Sequence, residues 1–187
     1  MDQIAMLRSI PNNFVFRPAC GTETAASYHF AFSSTNHPTC LLLSRQNLAE
    51  QEGASFNGAL KGGYIISKEA EHCDLTLIAT GSEVDLACQV QKILLENGLD
   101  VRVVSMPCLE LFDMQSKEYQ DSILTNSYDK RIFIEMAKSD NLYEYAKFVY
   151  GINSFGLSAP AEEVIRVFKF TPEDIADRIL KDFPVVD

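Results

Sequence analysis

Short apolar runs alternate with amphipathic stretches along most of the chain, and this alternation limits the fold more than any other feature. Residues 74–80 and 101–106 are apolar runs of strand length, and residues 82–98 between them carry apolar side chains at helical spacing. Two parallel strands in one sheet need a connection of about a dozen residues or more, and the helix between these runs provides one. The pattern therefore predicts an α/β fold, with a mostly parallel sheet and helices on both of its faces.

The other elements are predicted from the same periodicities and from residues that begin or end helices. Strands are predicted at residues 13–17, 39–44, 64–67 and 131–136, and helices at residues 22–32, 116–124 and 141–150. Ser82 and Asp85 are expected to form a capping box at the start of the helix that ends at Gly98. Thr171, followed by Pro172, predicts the start of a further helix near the C-terminus.

The composition changes near residue 60. Residues 1–60 carry three basic and four acidic side chains, whereas residues 61–187 carry thirteen and twenty-two. The glycine-rich stretch at residues 46–63 is the natural linker between the two parts. The first part contains about two strands and two helices, too few to bury both faces of a parallel sheet. We therefore expect an incomplete segment at residues 1–60 and a complete α/β domain at residues 61–187.

The charge balance excludes several classes of partner. The 187 residues contain 16 Lys and Arg against 26 Asp and Glu, which gives a net charge of −10. Such a charge repels nucleic acids and anionic membranes, so we expect neither as a partner. The sequence has no apolar run of the roughly 18 residues that a membrane span needs, and the first residues lack the apolar core of a secretory signal. We therefore expect a cytoplasmic protein.

The side chains that could hold a metal ion are scattered along the sequence. The five cysteines include no CxxC pair, and the three histidines are widely separated. We expect reduced thiols and no metal-binding residue in this chain.

Arg45 is the candidate site residue that stands out in the sequence. It follows the predicted strand at residues 39–44, and open parallel sheets bind ligands beyond the carboxyl ends of their strands. A guanidinium group there can hold a phosphate through two parallel hydrogen bonds. On spacing alone, however, an ion pair with Glu50 or Glu52 is the favoured interpretation. The turn at residues 80–82 can also bind an anion, although a plain helix start is the simpler interpretation.

Seven sequence blocks together resemble the C-terminal region of transketolases, in the order of that family and with nearly its spacing. In chain order they are residues 16–19 (FRPA), 43–48 (LSRQNL), 61–64 (KGGY), 78–84 (IATGSEV), 101–107 (VRVVSMP), 111–113 (LFD) and 155–162 (FGLSAPAE). Each block alone is a weak signal, but seven in order over residues 4–180 are specific for the family.

The resemblance implies a three-domain enzyme of which this chain is the last part. Residues 1–60 resemble the end of the pyrimidine-binding domain, and residues 61–187 resemble the transketolase C-terminal domain. In the family, the arginine of the Ser-Arg-Gln block contacts the phosphate of the sugar phosphate, and Arg45 matches it. The catalytic glutamate and the ligands of thiamine diphosphate and of its Mg or Ca ion belong upstream of Met1. No catalytic, cofactor-binding or metal-binding residue is therefore expected in this chain.

The resemblance also implies a function. The chain is expected to be the C-terminal part of a homodimeric enzyme that transfers a two-carbon ketol unit between sugar phosphates with thiamine diphosphate, and to be inactive alone. One alternative is a stand-alone interaction or regulatory module that uses the same C-terminal domain without catalysis. Another is a related thiamine-diphosphate enzyme, such as dihydroxyacetone synthase or deoxyxylulose-phosphate synthase.

Overall fold

The computed structural model describes residues 3–185, which form an α/β fold. The first part contains α1 (Gln3–Arg8), β1 (Phe14–Phe16), α2 (Gly21–Ser33), β2 (Thr39–Leu41) and α3 (Phe56–Ala59). The second part contains β3 (Tyr64–Ser67), β4 (Leu75–Ala79), α4 (Glu83–Glu96), β5 (Val101–Ser105), α5 (Leu109–Asp113), α6 (Lys117–Ile123), β6 (Arg131–Ile134), β7 (Phe148–Tyr150), α7 (Ala161–Phe168) and α8 (Pro172–Asp182).

The strands of the described residues form two sheets. The larger sheet has the order β3-β5-β4-β6-β7, in which β3 is antiparallel to β5 and the other neighbours are parallel. The smaller sheet is the parallel pair of β1 and β2, with Phe14 opposite Thr39. The predicted mostly parallel sheet is therefore confirmed, and its antiparallel strand lies at one edge.

Side chains of the larger sheet alternate between two cores because successive residues of a strand point to opposite faces. Leu75, Leu77 and Ala79 of β4 pack in the core that contains the buried faces of α4 and α8. Ile78, from the same strand, packs in the core beneath α5 and α6, together with Phe133 of β6. Helices on both faces of the sheet are therefore confirmed.

The prediction of a helix at residues 141–150 is wrong. The structure has a single 3-10 turn at Asp140–Leu142, and the chain then extends into β7, which pairs in parallel with β6. Residues 148–150 are aromatic or β-branched and favour strands. Pairing with the open edge of β6 also satisfies backbone groups that a short helix would leave exposed at its ends.

Two helix-start predictions had opposite outcomes. The Thr171 hydroxyl accepts a hydrogen bond from the backbone N–H of Asp174 at 3.2 Å, so the cap of α8 is confirmed. The capping box at Ser82 is wrong, because Ser82 already has helical angles (φ −59°, ψ −25°) and caps no backbone group with its side chain. The first turn of α4 closes instead through the backbone, from the Glu83 N–H to the Thr80 carbonyl at 3.2 Å.

Candidate functional site

Arg45 lies in a surface loop that follows β2, which we call the Arg45 loop (residues 42–51). The loop starts where the Leu42 N–H donates to the Phe16 carbonyl at 2.8 Å, directly after the paired part of β1 and β2. Arg45 itself is exposed in a bend. Among residues 3–185 its guanidinium group has no hydrogen-bond or ion-pair partner, so the alternative ion pair with Glu50 or Glu52 is not formed.

Glu50 is engaged elsewhere in the same loop. Both of its carboxylate oxygens lie 3.3 Å from the backbone N–H of Thr22, in the first turn of α2. Hydrogen bonding from Thr22 lowers the pKa of Glu50 below its ordinary value, and a negative charge at a helix N-terminus is favourable. Glu50 therefore binds the start of α2 and does not pair with Arg45. The guanidinium group of Arg45 is left available for an external anion.

The Arg45 loop contacts both parts of the chain. The Gln51 side-chain amide donates to Asp85 of α4 at 3.4 Å. Two cavities of about 430 Å³ flank the loop, one against the start of α2 and one against the start of α4. The second cavity also touches Met136, which follows β6, and Ile165 of α7. The loop is therefore placed by contacts with both parts of the chain.

Beside the loop lies a buried arginine–glutamate cluster, formed by Arg8, Arg17, Glu83 and Glu135 with the hydroxyl of Thr80. Arg8 faces Glu135 with both terminal nitrogens, at 2.9 and 3.2 Å. Arg17 donates to Thr80 at 2.9 Å and lies 3.1 Å from Glu83 and 3.4 Å from Glu135. Thr80 donates in turn to Glu135 at 2.7 Å. Two cations and two carboxylates thus balance each other in the interior.

Burial is the largest influence on the pKa values of Arg17, Glu83 and Glu135. It raises the pKa of Glu83, and the attraction of Arg17 offsets this only in part. Burial acts in the same direction on Glu135, but the attraction of Arg8 and Arg17 outweighs it and lowers the pKa. Burial lowers the pKa of Arg17, but its two carboxylate neighbours raise it above the ordinary value. Arg17 and Glu135 therefore stabilise each other in their charged forms.

Gly81 makes room for Arg17 at the turn between β4 and α4. Its φ of +57° is a conformation that side chains other than glycine rarely adopt. A Cβ at this position would lie 3.3 Å from the Arg17 guanidinium carbon. The sequence indicates that the turn at residues 80–82 can bind an anion. In the structure, the guanidinium group of Arg17 lies against this turn instead.

A second buried contact joins the two parts of the chain through Glu23 of α2. Its carboxylate accepts hydrogen bonds from the Ser105 hydroxyl at 2.6 Å, the Tyr64 hydroxyl at 2.9 Å and the Ala19 N–H at 2.6 Å. Burial raises the pKa of Glu23 despite these bonds. Glu23 is not among the site residues predicted from the sequence. The available signal is its place one helical turn before Ala26 and Ser27, on the face of α2 that becomes buried.

The described residues contain little that could hold a metal ion. No group of three or more His, Cys, Asp or Glu side chains within residues 3–185 is arranged for one. The five cysteines are unpaired thiols, and Cys20 and Cys108 are buried. Over the same residues, no helix has the length and apolar character required to cross a membrane.

Comparisons with known proteins identify relatives over nearly the whole chain. A family model described as "Transketolase-like TK C-terminal domain" matches residues 62–171. The chain is 43% identical over 178 residues to a probable transketolase of Streptococcus pneumoniae, across 94% of this chain and 27% of that protein. It is 42% identical over 186 residues to the transketolase of Bacillus subtilis, across 96% of this chain and 28% of that protein. The chain thus spans about a quarter of the length of the curated relatives it matches.

Solved transketolase structures share the fold of this chain. A complex of the Pichia stipitis transketolase with sedoheptulose 7-phosphate has a TM-score of 0.91 at 40% identity, over 96% of this chain and 26% of that one. The Leishmania mexicana transketolase has a TM-score of 0.89 at 38% identity, over 97% and 27%. These findings confirm the resemblance of the seven sequence blocks. Since the family model covers more than half of the 187 residues, the chain belongs to the transketolase family.

Proposed function

We propose that this chain serves as the C-terminal portion of an enzyme that transfers a two-carbon ketol unit from a ketose phosphate to an aldose phosphate. The observation that carries the proposal is the TM-score of 0.91 with a transketolase in complex with sedoheptulose 7-phosphate. Identities of 42–43% with curated transketolases over almost the whole chain support the same substrate class. Within that class, the Ser-Arg-Gln-Asn block at residues 44–47 and the stretch at residues 106–113 favour transketolase over dihydroxyacetone synthase and deoxyxylulose-phosphate synthase.

Thiamine diphosphate and a Mg or Ca ion would supply the carbon chemistry of the intact enzyme. Within residues 3–185, no cluster of metal-ligating side chains is arranged to hold the ion. We therefore assign cofactor and cation binding to the remainder of the intact enzyme and derive no step through them. On this proposal the chain alone catalyses nothing.

Arg45 is the residue of this chain to which we assign direct contact with substrate. Its guanidinium group is exposed and has no partner among residues 3–185, while Glu50 is held by α2. A planar guanidinium fork matches two oxygens of a phosphate group. The proposed role of Arg45 is to bind and orient the phosphate end of the sugar, which leaves the reacting carbons to groups elsewhere in the enzyme.

The two-part organisation belongs to the same proposal. We assign residues 1–60 to the end of a pyrimidine-binding domain and residues 61–187 to the C-terminal domain. The family match beginning at residue 62 supports this division, as does the separate sheet of β1 and β2 in the first part. We further propose that the intact enzyme is a cytoplasmic homodimer, because two-fold dimers are the commonest assembly.

The second candidate function is a stand-alone interaction module without catalysis. The buried contacts of Glu23 and of the arginine–glutamate cluster favour it, because they tie the first part of the chain to a complete sheet. The coding sequence upstream of Met1 discriminates between the two candidates. An open frame that encodes further thiamine-diphosphate-binding segments supports the enzyme, and a stop codon supports the module.

A hybrid enzyme tests the proposed activity. The 187 residues replace the matching C-terminal portion of the Bacillus subtilis transketolase. Ketol transfer is measured with thiamine diphosphate, Mg²⁺, sedoheptulose 7-phosphate as the donor and an aldose phosphate as the acceptor. We expect the hybrid to be active and the chain alone to be inactive under the same conditions. A folded dimeric hybrid without transfer, or activity of the chain alone, would contradict the proposal.

A further inference from the structure

The carboxyl ends of β4 and β6 form the point at which the larger sheet reverses its strand order. The chain continues from β4 to β5 on one side of β4, and β6 lies on the other side. In open α/β sheets, the crevice outside such a reversal is the usual ligand site. In this chain, Thr80 and Glu135 directly follow the two strands, and Glu83 begins α4 beside them. The crevice therefore presents two carboxylates and a hydroxyl.

We propose that this crevice is a guanidinium-binding site, filled within the chain by Arg17 and Arg8, through which the five-stranded sheet holds the pair of β1 and β2. Arg17 donates a hydrogen bond to Thr80 at 2.9 Å, and the carboxylates of Glu83 and Glu135 lie at ion-pair distances of 3.1 and 3.4 Å. Glu135 also receives both terminal nitrogens of Arg8. The side chains of Arg8 and Glu135 are 4% and 0% exposed, so water does not screen this pair.

The geometry selects a guanidinium group rather than an ammonium group. One terminal nitrogen of Arg17 contacts Thr80 and Glu135, while the other contacts Glu83. A lysine carries a single nitrogen on a flexible stem and does not reproduce this planar fork. Gly81 also contributes to the guanidinium-binding site, because a residue without a Cβ lets the guanidinium carbon of Arg17 lie against the turn.

The bound arginine fixes the start of the Arg45 loop. Arg17 directly follows β1, its N–H donates to the Pro107 carbonyl at 2.8 Å, and its carbonyl accepts from the Gly81 N–H at 2.9 Å. The preceding residue, Phe16, accepts the hydrogen bond from Leu42, the first residue of the Arg45 loop. By placing the Arg45 loop, Arg17 would support phosphate binding by Arg45, and this consequence rests on the proposed function. The guanidinium site itself does not.

Chemical rescue of the full 187-residue chain tests the site without any activity assay. Arg17→Ala vacates the site, and breaking a buried pair in this way should lower Tm by about 6–20 °C. Ethylguanidinium chloride at tens of millimolar should then raise the Tm of this variant by about 3 °C or more, the effect of a ligand at ten times its Kd. Wild type and Arg45→Ala, which removes an exposed arginine, should show no such gain. Equimolar NaCl serves as the salt control.

Two results would overturn the proposal: a Tm for Arg17→Ala within 2 °C of wild type, or a lowered Tm that ethylguanidinium raises no more than NaCl does. If Arg17→Ala does not fold, Arg17→Lys replaces it, with Arg45→Lys as its matched control. We then expect a lower Tm and faster hydrogen exchange at the Leu42 amide for Arg17→Lys alone. Equal Tm and equal exchange in the two lysine variants would show that the guanidinium fork is not required.

Discussion

The Ser105 hydroxyl donates a 2.6 Å hydrogen bond to the Glu23 carboxylate across 82 residues of sequence, and both side chains are fully buried. Ser105 ends β5 in the larger sheet, whereas Glu23 lies in the first turn of α2. The Tyr64 hydroxyl, from the edge strand β3, donates to the same carboxylate oxygen. This contact and the arginine–glutamate cluster therefore bind the first part of the chain to the larger sheet.

Glu23→Ala should strongly destabilise the chain. The substitution leaves the Ser105 hydroxyl, the Tyr64 hydroxyl and the Ala19 N–H without their common acceptor. Each buried polar group left unpaired costs about 1–3 kcal/mol, so we expect the free energy of unfolding in urea to fall by at least about 3 kcal/mol. Thr35→Ala, on an exposed turn, is the control and should change it by less than about 0.5 kcal/mol. A similar small change for Glu23→Ala would refute the role of this contact.

The raised pKa of Glu23 also predicts a pH dependence. Because burial raises the folded pKa above the ordinary value of 4.5, the folded chain binds this proton more tightly than the unfolded chain does. The contribution of Glu23 to the free energy of unfolding therefore falls as the pH rises above about 4.5, through the folded pKa. The free energy of unfolding in urea is measured for wild type and for Glu23→Gln, and the difference, wild type minus variant, should show this decline. A difference that rises with pH would contradict the assignment.

Glu135 should give the opposite pH dependence. Arg8 and Arg17 lower its folded pKa below 4.5, so its contribution is present above that pH and is lost as the pH falls through the folded pKa. Glu135→Gln should therefore cost about 3–5 kcal/mol at pH 7 and progressively less in acid. The measurement is urea unfolding of both proteins between neutral and acidic pH, over the range in which both remain folded. A cost that does not change over this range would show that the charge of Glu135 is irrelevant.

Gly62 is a position that we expect to tolerate no side chain. Its φ is +83°, and a Cβ would lie 2.3 Å from the Phe112 nitrogen and 2.5 Å from the Cys108 carbonyl oxygen. Because both contacts are with backbone, Gly62→Ala should cost about 3 kcal/mol or more in chemical unfolding. Gly156→Ala is the matched control, since nothing lies within 4 Å of its added Cβ. Equal stability of the two variants would contradict the tight packing at Gly62.

The sequence predicted those parts of the fold that local patterns determine. The apolar run of β4, the helix that ends at Gly98 and the cap at Thr171 depend on neighbouring residues, and the structure has them all. The strand β7 was missed because its conformation is set by pairing with β6. At Ser82, a backbone turn through Gly81 replaces the expected side-chain cap.

The site was predictable only in part, for the same physical reason. Family resemblance predicts a role for Arg45, which stays a prediction, and the partner of Glu50 depends on how the loop folds back onto α2. The arginine–glutamate cluster joins residues as far apart as Arg8 and Glu135, which are separated by 127 positions. No local periodicity encodes such a pair, so the guanidinium site becomes visible only in three dimensions.

Steady-state kinetics of the hybrid enzyme with Arg45→Ala test the central proposal most directly. We expect the KM for a phosphorylated donor to rise about tenfold to hundredfold, the loss of a charged hydrogen bond of about 1.5–3 kcal/mol. The kcat and the KM for an unphosphorylated ketose donor should change little, and Arg45→Lys should retain part of the affinity. Arg166→Ala, which removes an exposed arginine of α7, controls for net charge. An unchanged KM for the phosphorylated donor in Arg45→Ala would contradict the assignment of Arg45 to the substrate phosphate.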